Sequence, residues 1–375
     1  MVSKPHGGRL VNRILPPDKA RKAAASGAPR VEAGLEFLLD AEKLAAGAYS
    51  PLEGFADRRT LGSILRTWKL PDGTVWPIPV VLPVREELEM GEDLLLTQGG
   101  RPIARLRVRE CYPFDRKAFA KGVYGTEDPA HPNVAEIGQW PPYLAAGPVD
   151  LIARPETGLG DPEPVPAETR AEFKKRGWET VAGYQTRNPP HRAHEYLQRC
   201  ALEQVDGLFI HPVVGKLKAD DFPAAAILES CRTLAGVYPP ERFFLSPLSI
   251  AMRYAGPRAA VFLALVRKNY GCTHYIVGRD MAGVGKFYGP YDAQEALTRW
   301  DLGITPLPFR DVFWCDRCGA MATEKTCGHP AEARRTMSGT EVRRRLRAGE
   351  PIPSEMVRPE VTEVLRKYVA GAPAG

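Results

Sequence analysis

The feature that most constrains the fold of this chain is an alternation of strand-like and helix-like segments from residue 181 to about residue 306. Runs such as 208–210 and 275–277 are short, apolar and typical of buried strands, whereas residues 258–267 are helix-like. This alternation predicts a doubly wound α/β fold with a parallel sheet at its centre. In such sheets, ligands bind in the crevice at the carboxyl ends of the strands.

Polar residues follow three of these strand-like runs directly. They are Gln185, His211 and the segment Gly278-Arg279-Asp280. Because the carboxyl ends of parallel strands meet at the same edge of a sheet, we expect one crevice to collect all of them.

The loop after the first of these strands, residues 185–194, reads Gln-Thr-Arg-Asn-Pro-Pro-His-Arg-Ala-His and leads into a helix. Prolines at the first helical positions, the free N–H groups there and the helix dipole all favour a bound anion. Arg187 adds a planar fork for oxyanions, and His191 and His194 are spaced to donate to one ligand. The loop is interpreted as a phosphate or sulfate site, with a proline-terminated loop carrying surface histidines as the alternative. A metal is disfavoured there, because the zincin spacing and its Glu are missing.

Composition narrows the class of protein. The chain has 375 residues, of which 44% are hydrophobic and 26% charged, so two or three globular domains are expected. No apolar run approaches the roughly 18 residues of a membrane span, and no apolar signal core follows the start. We therefore expect a cytoplasmic protein with no membrane partner. A formal charge of +6 suits anionic ligands and is too mild to require nucleic acid.

Three domains are predicted along the chain. Residues 1–149 mix short β-rich runs, such as 75–84, with turns, and indicate a compact, mostly β domain. Residues 150–306 hold the α/β pattern. Residues 307–375 begin with a cysteine cluster and continue into helices, the first with a capping box at 338–341, and indicate a small third domain.

Basic residues are dense between residues 247 and 286. A solvated basic face would explain them, but Arg279 follows a buried strand and stands beside glycines that let backbone N–H groups approach a ligand. Residues 283–287 superficially suggest a P-loop. Asp280 stands where the first glycine belongs and Phe287 where Ser or Thr belongs, so no Walker A motif is assigned.

The seven cysteines fall into two groups. Three stand with a histidine in the pattern Cys315-x2-Cys318-x8-Cys327-x-His329, which is typical of a structural zinc site with four protein ligands. A redox pair is the alternative, but it would normally open a thioredoxin-like helix, which these flanks do not resemble. The others are expected to be buried small hydrophobic residues: Cys111, Cys200, Cys231 and Cys272.

Several motifs stand in order along nearly the whole chain: Pro5-His6-Gly7-Gly8, residues 49–55, 185–194, 252–257, 267–280 and Ser338-Gly339-Thr340. Together they make the chain resemble the ATP sulfurylase (sulfate adenylyltransferase) family of the single-activity bacterial and archaeal kind. The resemblance implies an α/β fold with a Rossmann-like nucleotidyltransferase core, a PUA-like N-terminal domain and a small C-terminal domain. It also implies a homodimer, and some bacterial members carry a comparable cysteine cluster.

The resemblance implies a step of sulfate assimilation, in which Mg²⁺ with ATP and sulfate give adenosine 5′-phosphosulfate and pyrophosphate. A sulfate oxygen attacks the α-phosphorus in line, without a covalent enzyme intermediate. Sulfate is already ionised at neutral pH, so it needs cations that offset the repulsion between two anions rather than a general base. Arginine and histidine are suitable, and catalysis would come mainly from positioning and electrostatics.

Residue roles are carried over by the same resemblance. The sulfate contacts are Gln185, Arg187 and the backbone N–H of Ala282. The residues flanking the reacting phosphorus, and in that sense catalytic, are Thr186, Arg187 and Asn188. His191 and His194 steady the β- and γ-phosphates and the departing pyrophosphate. The other nucleotide contacts implied are Gln185, Asn188, Gly278, Arg279, Asp280, Met281 and, through its backbone, Val312.

Two positions depart from the family pattern. The family usually has histidine where this chain has Met281 and Leu263, and Met281 is able to pack against adenine instead. Another nucleotidyltransferase of the same fold is one alternative; it would use the paired histidines without an oxyanion site at Gln185 and Arg187. An RNA-binding protein with a PUA-like domain and a zinc module is the other, although a basic pI alone is weak evidence for it.

Overall fold

The structure is a computed structural model that describes residues 2–160, 163–216, 221–336 and 338–370. Three sheets of seven, five and three strands organise these residues. Within this part of the chain, no helix combines the length and apolar character that a membrane crossing requires.

The seven-stranded sheet lies in the N-terminal part. Its strands are β1 (Arg30–Glu32), β2 (Gly54–Phe55), β3 (Leu82–Val84), β4 (Asp93–Gln98), β5 (Arg101–Arg107), β6 (Glu110–Pro113) and β7 (Tyr143–Leu151). The hydrogen-bonded order is β1-β4-β5-β7-β2, and β3 and β6 also pair with β7. The sequence does not predict the helices that accompany this sheet, which are α1 (Pro17–Ala24), α2 (Leu35–Ala45), α3 (Arg58–Thr67), α4 (Arg116–Tyr124) and α5 (Pro132–Gly138).

The β-rich run 75–84 forms a strand only at its end, as β3. Prolines at positions 77 and 79 lack the N–H that a ladder needs, so this part of the run cannot pair continuously. It is buried nonetheless: Trp76 is fully covered, and its ring contacts those of Tyr49 and Phe262. The apolar residues of the run therefore build the core rather than a sheet.

The five-stranded sheet confirms the predicted α/β fold. Its strands are β8 (Val181–Tyr184), β9 (Gly207–Ile210), β10 (Phe243–Leu245), β11 (His274–Val277) and β12 (Thr305–Pro308). All neighbours are parallel, in the order β10-β9-β8-β11-β12. The order reverses between β8 and β11, so the ligand crevice of such a fold belongs at their carboxyl ends.

The helices of this α/β unit are α6 (Pro166–Lys175), α7 (Arg192–Leu202), α8 (Ala224–Ala235), α9 (Pro257–Tyr270) and α10 (Asp292–Leu297). In α9, 12 of 14 residues are buried, because it packs in the core shared by the N-terminal sheet and the α/β sheet. Leu263 is one of these buried residues.

Burial in and before α9 corrects the interpretation of the basic cluster. The Arg258 guanidinium donates to the carbonyl groups of Ile64, Pro77 and Leu65. Arg267 donates to the carbonyl of His211, and Arg253 pairs with the buried Asp40. These three arginines are neither a solvated face nor part of the crevice. They satisfy carbonyl and carboxylate groups inside the protein, where an unpaired polar group would be costly.

The three-stranded antiparallel sheet follows β12. It consists of β13 (Val312–Cys315), β14 (Ala320–Thr323) and β15 (Arg334–Arg335), with β13 in the middle. Helices α11 (Gly339–Arg347) and α12 (Pro359–Ala370) complete the chain. Ser338 caps α11 by accepting from the Glu341 N–H at 3.2 Å, as its motif predicts.

Both predicted domain boundaries fall inside strands. Position 150 lies within β7 and position 307 within β12. A strand bonded to one sheet along its length cannot be divided between two domains. Furthermore, Val342 and Leu346 of α11 and Leu365 of α12 share one hydrophobic cluster with the α/β unit, so the C-terminal helices do not form a core of their own.

Candidate active site

A cavity of about 490 Å³ opens at the carboxyl ends of β8 and β11. The structure brings every residue that the sequence assigned to substrate or nucleotide to its lining: Gln185, Thr186, Arg187, Asn188, His191, His194, Gly278, Arg279, Asp280, Met281, Ala282 and Val312. His211, expected in the same crevice, is not among them. It is fully buried behind the sheet edge, with its ring against Phe209 and Tyr270.

One wall of the cavity comes from the C-terminal sheet. Trp314 of β13 is paired across the sheet with Met321 of β14 and Arg335 of β15, and all three line the cavity. Of this wall, the family resemblance predicts only the Val312 backbone, and nothing in the sequence predicts Trp314, Met321 or Arg335. The contact between these side chains and the cavity can be seen only in the tertiary structure.

The loop between β8 and α7 is shaped by its own hydrogen bonds. The Thr186 hydroxyl donates to the Asn188 carbonyl at 2.8 Å and accepts from the Asn188 N–H at 3.0 Å. Helix α7 begins at Arg192, with His191 as its N-cap. The two prolines therefore precede the cap rather than occupy the first helical positions, contrary to the prediction. They still restrict the chain that enters the helix.

His191 and His194 form a stacked pair at the start of α7. Their ring centroids are 3.7 Å apart, with 25° between the ring planes. Burial lowers the pKa of His191 to about 4, and burial with repulsion from His191 lowers the pKa of His194 well below its usual value. Both rings are therefore neutral at pH 7. The Nδ1 atom of His194 has no hydrogen-bond partner among the described residues, which suits a site whose partner is a ligand.

Arg187 has an acidic partner that no sequence motif indicates. Its Nη1 donates to both carboxylate oxygens of Asp221, at 2.9 Å each. The guanidinium also lies 5.2 Å from the ring centroid of Tyr254. Burial raises the pKa of Tyr254 to about 12, so its phenol stays neutral. Gln185 stands nearby in the cavity lining, and its buried Oε1 lacks a partner within the described part of the chain.

The loop after β11 holds a strained backbone. Asp280 and Ala282 adopt φ values of 53° and 57°, a region that residues with a Cβ occupy at a cost of roughly 1–3 kcal/mol each. The loop is anchored by hydrogen bonds from the Asp280 N–H to Pro290 and from the Gly256 N–H to Ala282. Such strain is concentrated at functional sites. A Cβ at Gly283 would lie 2.1 Å from a carboxylate oxygen of Asp280, so a larger residue here would displace that side chain.

The cysteine cluster lies at the far end of the cavity wall. Ligand atoms of Cys315, Cys318, Cys327 and His329 all lie within 4.8 Å of one another. The Nδ1 atom of His329 is 3.3 Å from two of the sulfur atoms and 3.5 Å from the third. Tetrahedral zinc with ordinary bond lengths would separate sulfur and nitrogen ligands by roughly 3.5 Å. The four residues are thus able to hold a metal ion.

Comparisons with known proteins agree with this geometry. A family model described as ATP-sulfurylase matches residues 163–368, and one described as PUA-like domain matches residues 3–154. The chain belongs to the ATP-sulfurylase family. Family relatives named sulfate adenylyltransferase include one from Symbiobacterium thermophilum, 49% identical over 98% of this chain and 96% of that protein. Another, from Deinococcus radiodurans, is 47% identical over 97% of this chain and 96% of that protein.

The chain is also similar to a solved structure. A protein described as a hexameric APS kinase from Thiobacillus denitrificans superposes with a TM-score of 0.77 at 28% identity. The match covers 98% of this chain and 68% of that one. Nearly the whole length of the chain therefore has a structural counterpart.

Of the two departures from the family pattern, only Met281 touches the cavity. Leu263 is buried inside α9 and is not part of the lining.

We expect Met281→His to be tolerated, with kcat/KM for ATP within about threefold of the wild-type value, because this side chain is only partly buried and the loop backbone is held by other residues. Steady-state kinetics with ATP varied would check this. Complete inactivation would show instead that the pocket depends on the thioether.

Proposed function

We propose that this chain is a sulfate adenylyltransferase, which converts ATP and sulfate reversibly into adenosine 5′-phosphosulfate and pyrophosphate. The single observation that carries the proposal is the cavity at β8 and β11, where an oxyanion fork and a neutral histidine pair face the same space. Curated relatives of this name align over nearly the whole chain, which supports it.

In the proposed reaction, sulfate lies against Arg187 and Gln185, with the Ala282 N–H as a third contact. One sulfate oxygen attacks the α-phosphorus in line while pyrophosphate departs, and no covalent intermediate forms. No base is needed. The guanidinium offsets the repulsion between the two anions, and a preorganised site of this kind lowers the barrier by stabilising charge in the transition state.

Thr186 is assigned a structural role in the loop. Its hydroxyl is already engaged with both backbone groups of Asn188, so we assign it to shaping the loop rather than to contact with the phosphate. Asn188 then flanks the reacting phosphorus. Gly278, Arg279, Asp280, Met281 and the Val312 backbone frame the nucleotide, and Mg²⁺ enters bound to ATP.

The histidine pair is assigned to the β- and γ-phosphates, and this predicts proton uptake on ATP binding. The free rings are neutral because burial lowers the pKa of both. Nearby phosphate charge favours the charged form and so raises these pKa values. ATP affinity should therefore increase as the pH falls from 8 towards 6, with uptake of up to about one proton. Calorimetry of MgATP binding in two buffers of different ionisation enthalpy measures this uptake.

The double variant His191→Asn/His194→Asn provides the matched control for that measurement, because asparagine can donate but does not titrate in this range, and because either ring alone could take up the proton. Protons exchanged by ATP itself are common to both proteins and cancel in the difference. Identical proton uptake by the wild type and the double variant would contradict the assignment.

We propose that Cys315, Cys318, Cys327 and His329 bind a structural Zn²⁺. Four protein ligands leave no open position for catalysis. The ion would join β13 to the turns after β13 and β14, and so support the wall that carries Trp314 and Met321.

Domain organisation also belongs to the proposal. We place the first boundary between residues 154 and 163, where the two family matches separate, and treat the C-terminal sheet and helices as an extension of the catalytic unit. A cytoplasmic homodimer remains our expectation. Light scattering of the purified protein would distinguish it from a hexamer.

The proposed function is tested by ATP formation from adenosine 5′-phosphosulfate and pyrophosphate with Mg²⁺, the reverse of sulfate activation. Robust ATP formation is expected. A folded, metal-loaded protein that forms no ATP under these conditions would refute the proposal.

A further inference from the structure

We propose that Asp221 is a positioning residue that orients Arg187 for sulfate. This inference rests on the proposed function, because it assigns Arg187 to the sulfate site. It adds to that function a carboxylate that lies outside the cavity lining and outside every motif that indicated the family.

The ion pair leaves one edge of the Arg187 guanidinium, the edge formed by Nε and Nη2, available to bind a ligand. Of the three guanidinium nitrogens, only Nη1 donates to Asp221, and it reaches both carboxylate oxygens at 2.9 Å each. Among the described residues, the guanidinium makes no other hydrogen bond, so Nε and Nη2 remain for a ligand. These two atoms form a parallel pair of donors, which is the arrangement that binds two oxygens of one oxyanion.

Arg187 is more exposed than Asp221, and this difference indicates the side from which a ligand would approach the guanidinium. The Arg187 side chain is 27% exposed, whereas that of Asp221 is 4% exposed. Arg187 lines the cavity and Asp221 does not. The carboxylate therefore lies behind the guanidinium, and an incoming sulfate approaches from the opposite side. Asp221 is not occupying the place of the sulfate.

Tyr254 packs beside the guanidinium that Asp221 binds at Nη1. The ring of Tyr254 lies 5.2 Å from the Arg187 carbon Cζ. The backbone of Tyr254 is in turn fixed by the N-terminal unit: its N–H donates to Asn133 at 3.1 Å, and its carbonyl lies 2.9 Å from Nε2 of His131. A long side chain restrained at one edge and one face loses little further freedom when it binds its ligand.

A buried carboxylate is costly for stability, and an ion pair of this kind often contributes little net stabilisation. Its retention here is explained if orientation of Arg187 is what it provides. The negative charge also opposes sulfate from behind the guanidinium. The benefit of orientation must therefore outweigh that repulsion. The proposal accordingly predicts that loss of Asp221 weakens sulfate binding.

The experiment compares Asp221→Ala and Asp221→Asn with the wild type, with sulfate and ATP varied separately. Asp221→Ala is expected to raise the KM for sulfate roughly tenfold or more, the scale of losing a hydrogen bond to a charged group. Asp221→Asn should give a smaller increase, because its amide oxygen still accepts from Nη1. The KM for ATP should change less than about twofold in both. Glu203→Ala, at the exposed end of α7, controls for loss of one negative charge.

Sulfate affinity is measured in parallel by calorimetry with α,β-methylene ATP present, so that the inference does not depend on turnover. A lower KM or tighter sulfate binding in Asp221→Ala would overturn it and make Asp221 a competitor of sulfate. Equal increases in both KM values would also overturn it and leave a structural role. A wild type that binds sulfate but forms no product would refute the proposed function alone.

Discussion

Arg187→Ala is expected to reduce kcat by about 10³ or more, because it removes the cation that offsets the charge of two reacting anions. The effect should be larger than that of any other single change in the loop. Gln185, the other side chain assigned to sulfate, is neutral. The measurement is ATP formation from adenosine 5′-phosphosulfate and pyrophosphate at saturating substrate. Near-normal turnover in a folded Arg187→Ala protein would remove Arg187 from the site.

Stability must be followed in the same experiment, because Arg187→Ala also takes away one ion-pair partner of the buried Asp221 carboxylate. Taking a cation away from a buried carboxylate is destabilising. The double variant Arg187→Ala/Asp221→Asn removes both charges and should recover much of the lost melting temperature without recovering activity. This separates loss of catalysis from loss of fold.

The second large effect is expected from a substitution in the cysteine cluster, which should lower the melting temperature. We expect the purified protein to contain about one zinc per chain, and Cys315→Ser to lose it with a decrease in melting temperature on the order of 10 °C. The physical reason is that the local core around the cluster is small. It consists of Phe313, Ala322 and Ala333 with two of the cysteines, which is too little apolar surface to hold the sheet without the metal.

The site should also respond to metal loss, because Trp314 and Met321 stand on the sheet that the cluster supports. The KM for ATP should increase more than the KM for sulfate, since the sulfate contacts lie on loops of the α/β sheet. Cys200→Ser, outside the cluster, serves as the matched control. A metal-free protein with an unchanged melting temperature would contradict the zinc assignment.

Much of the site was accessible from the sequence because its parts are local. The segment 185–194 carries several candidate ligand contacts within one strand-to-helix connection, and its position at the end of β8 follows from periodicity alone. The same holds for 278–282 after β11. Two loops at neighbouring strand ends must meet, because parallel strands align their carboxyl ends. The cysteine cluster spans only residues 315–329, and its spacing already indicates its geometry.

The basic cluster shows where such reasoning fails. Density of charge along the chain placed Arg253, Arg258 and Arg267 with Arg279, yet only Arg279 lines the cavity. The others bind groups far away in sequence, such as the carbonyl of Ile64 and the carboxylate of Asp40. Which carbonyl groups lack a partner inside a fold is decided by how its units pack, and sequence periodicity carries no such information.

By itself, the sequence determined the parallel α/β sheet, the two loops at its switch point, the capped helix α11 and the cysteine cluster, because each depends on contacts within a short segment or on strand and helix periodicity. Only the tertiary structure decided the Asp221 partner of Arg187, the places of Trp314, Met321 and Arg335 in the cavity wall and the burial of His211. These depend on contacts between segments distant in the chain. Such contacts are selected by burial and by the need to pair every buried charge, which are properties of the whole fold.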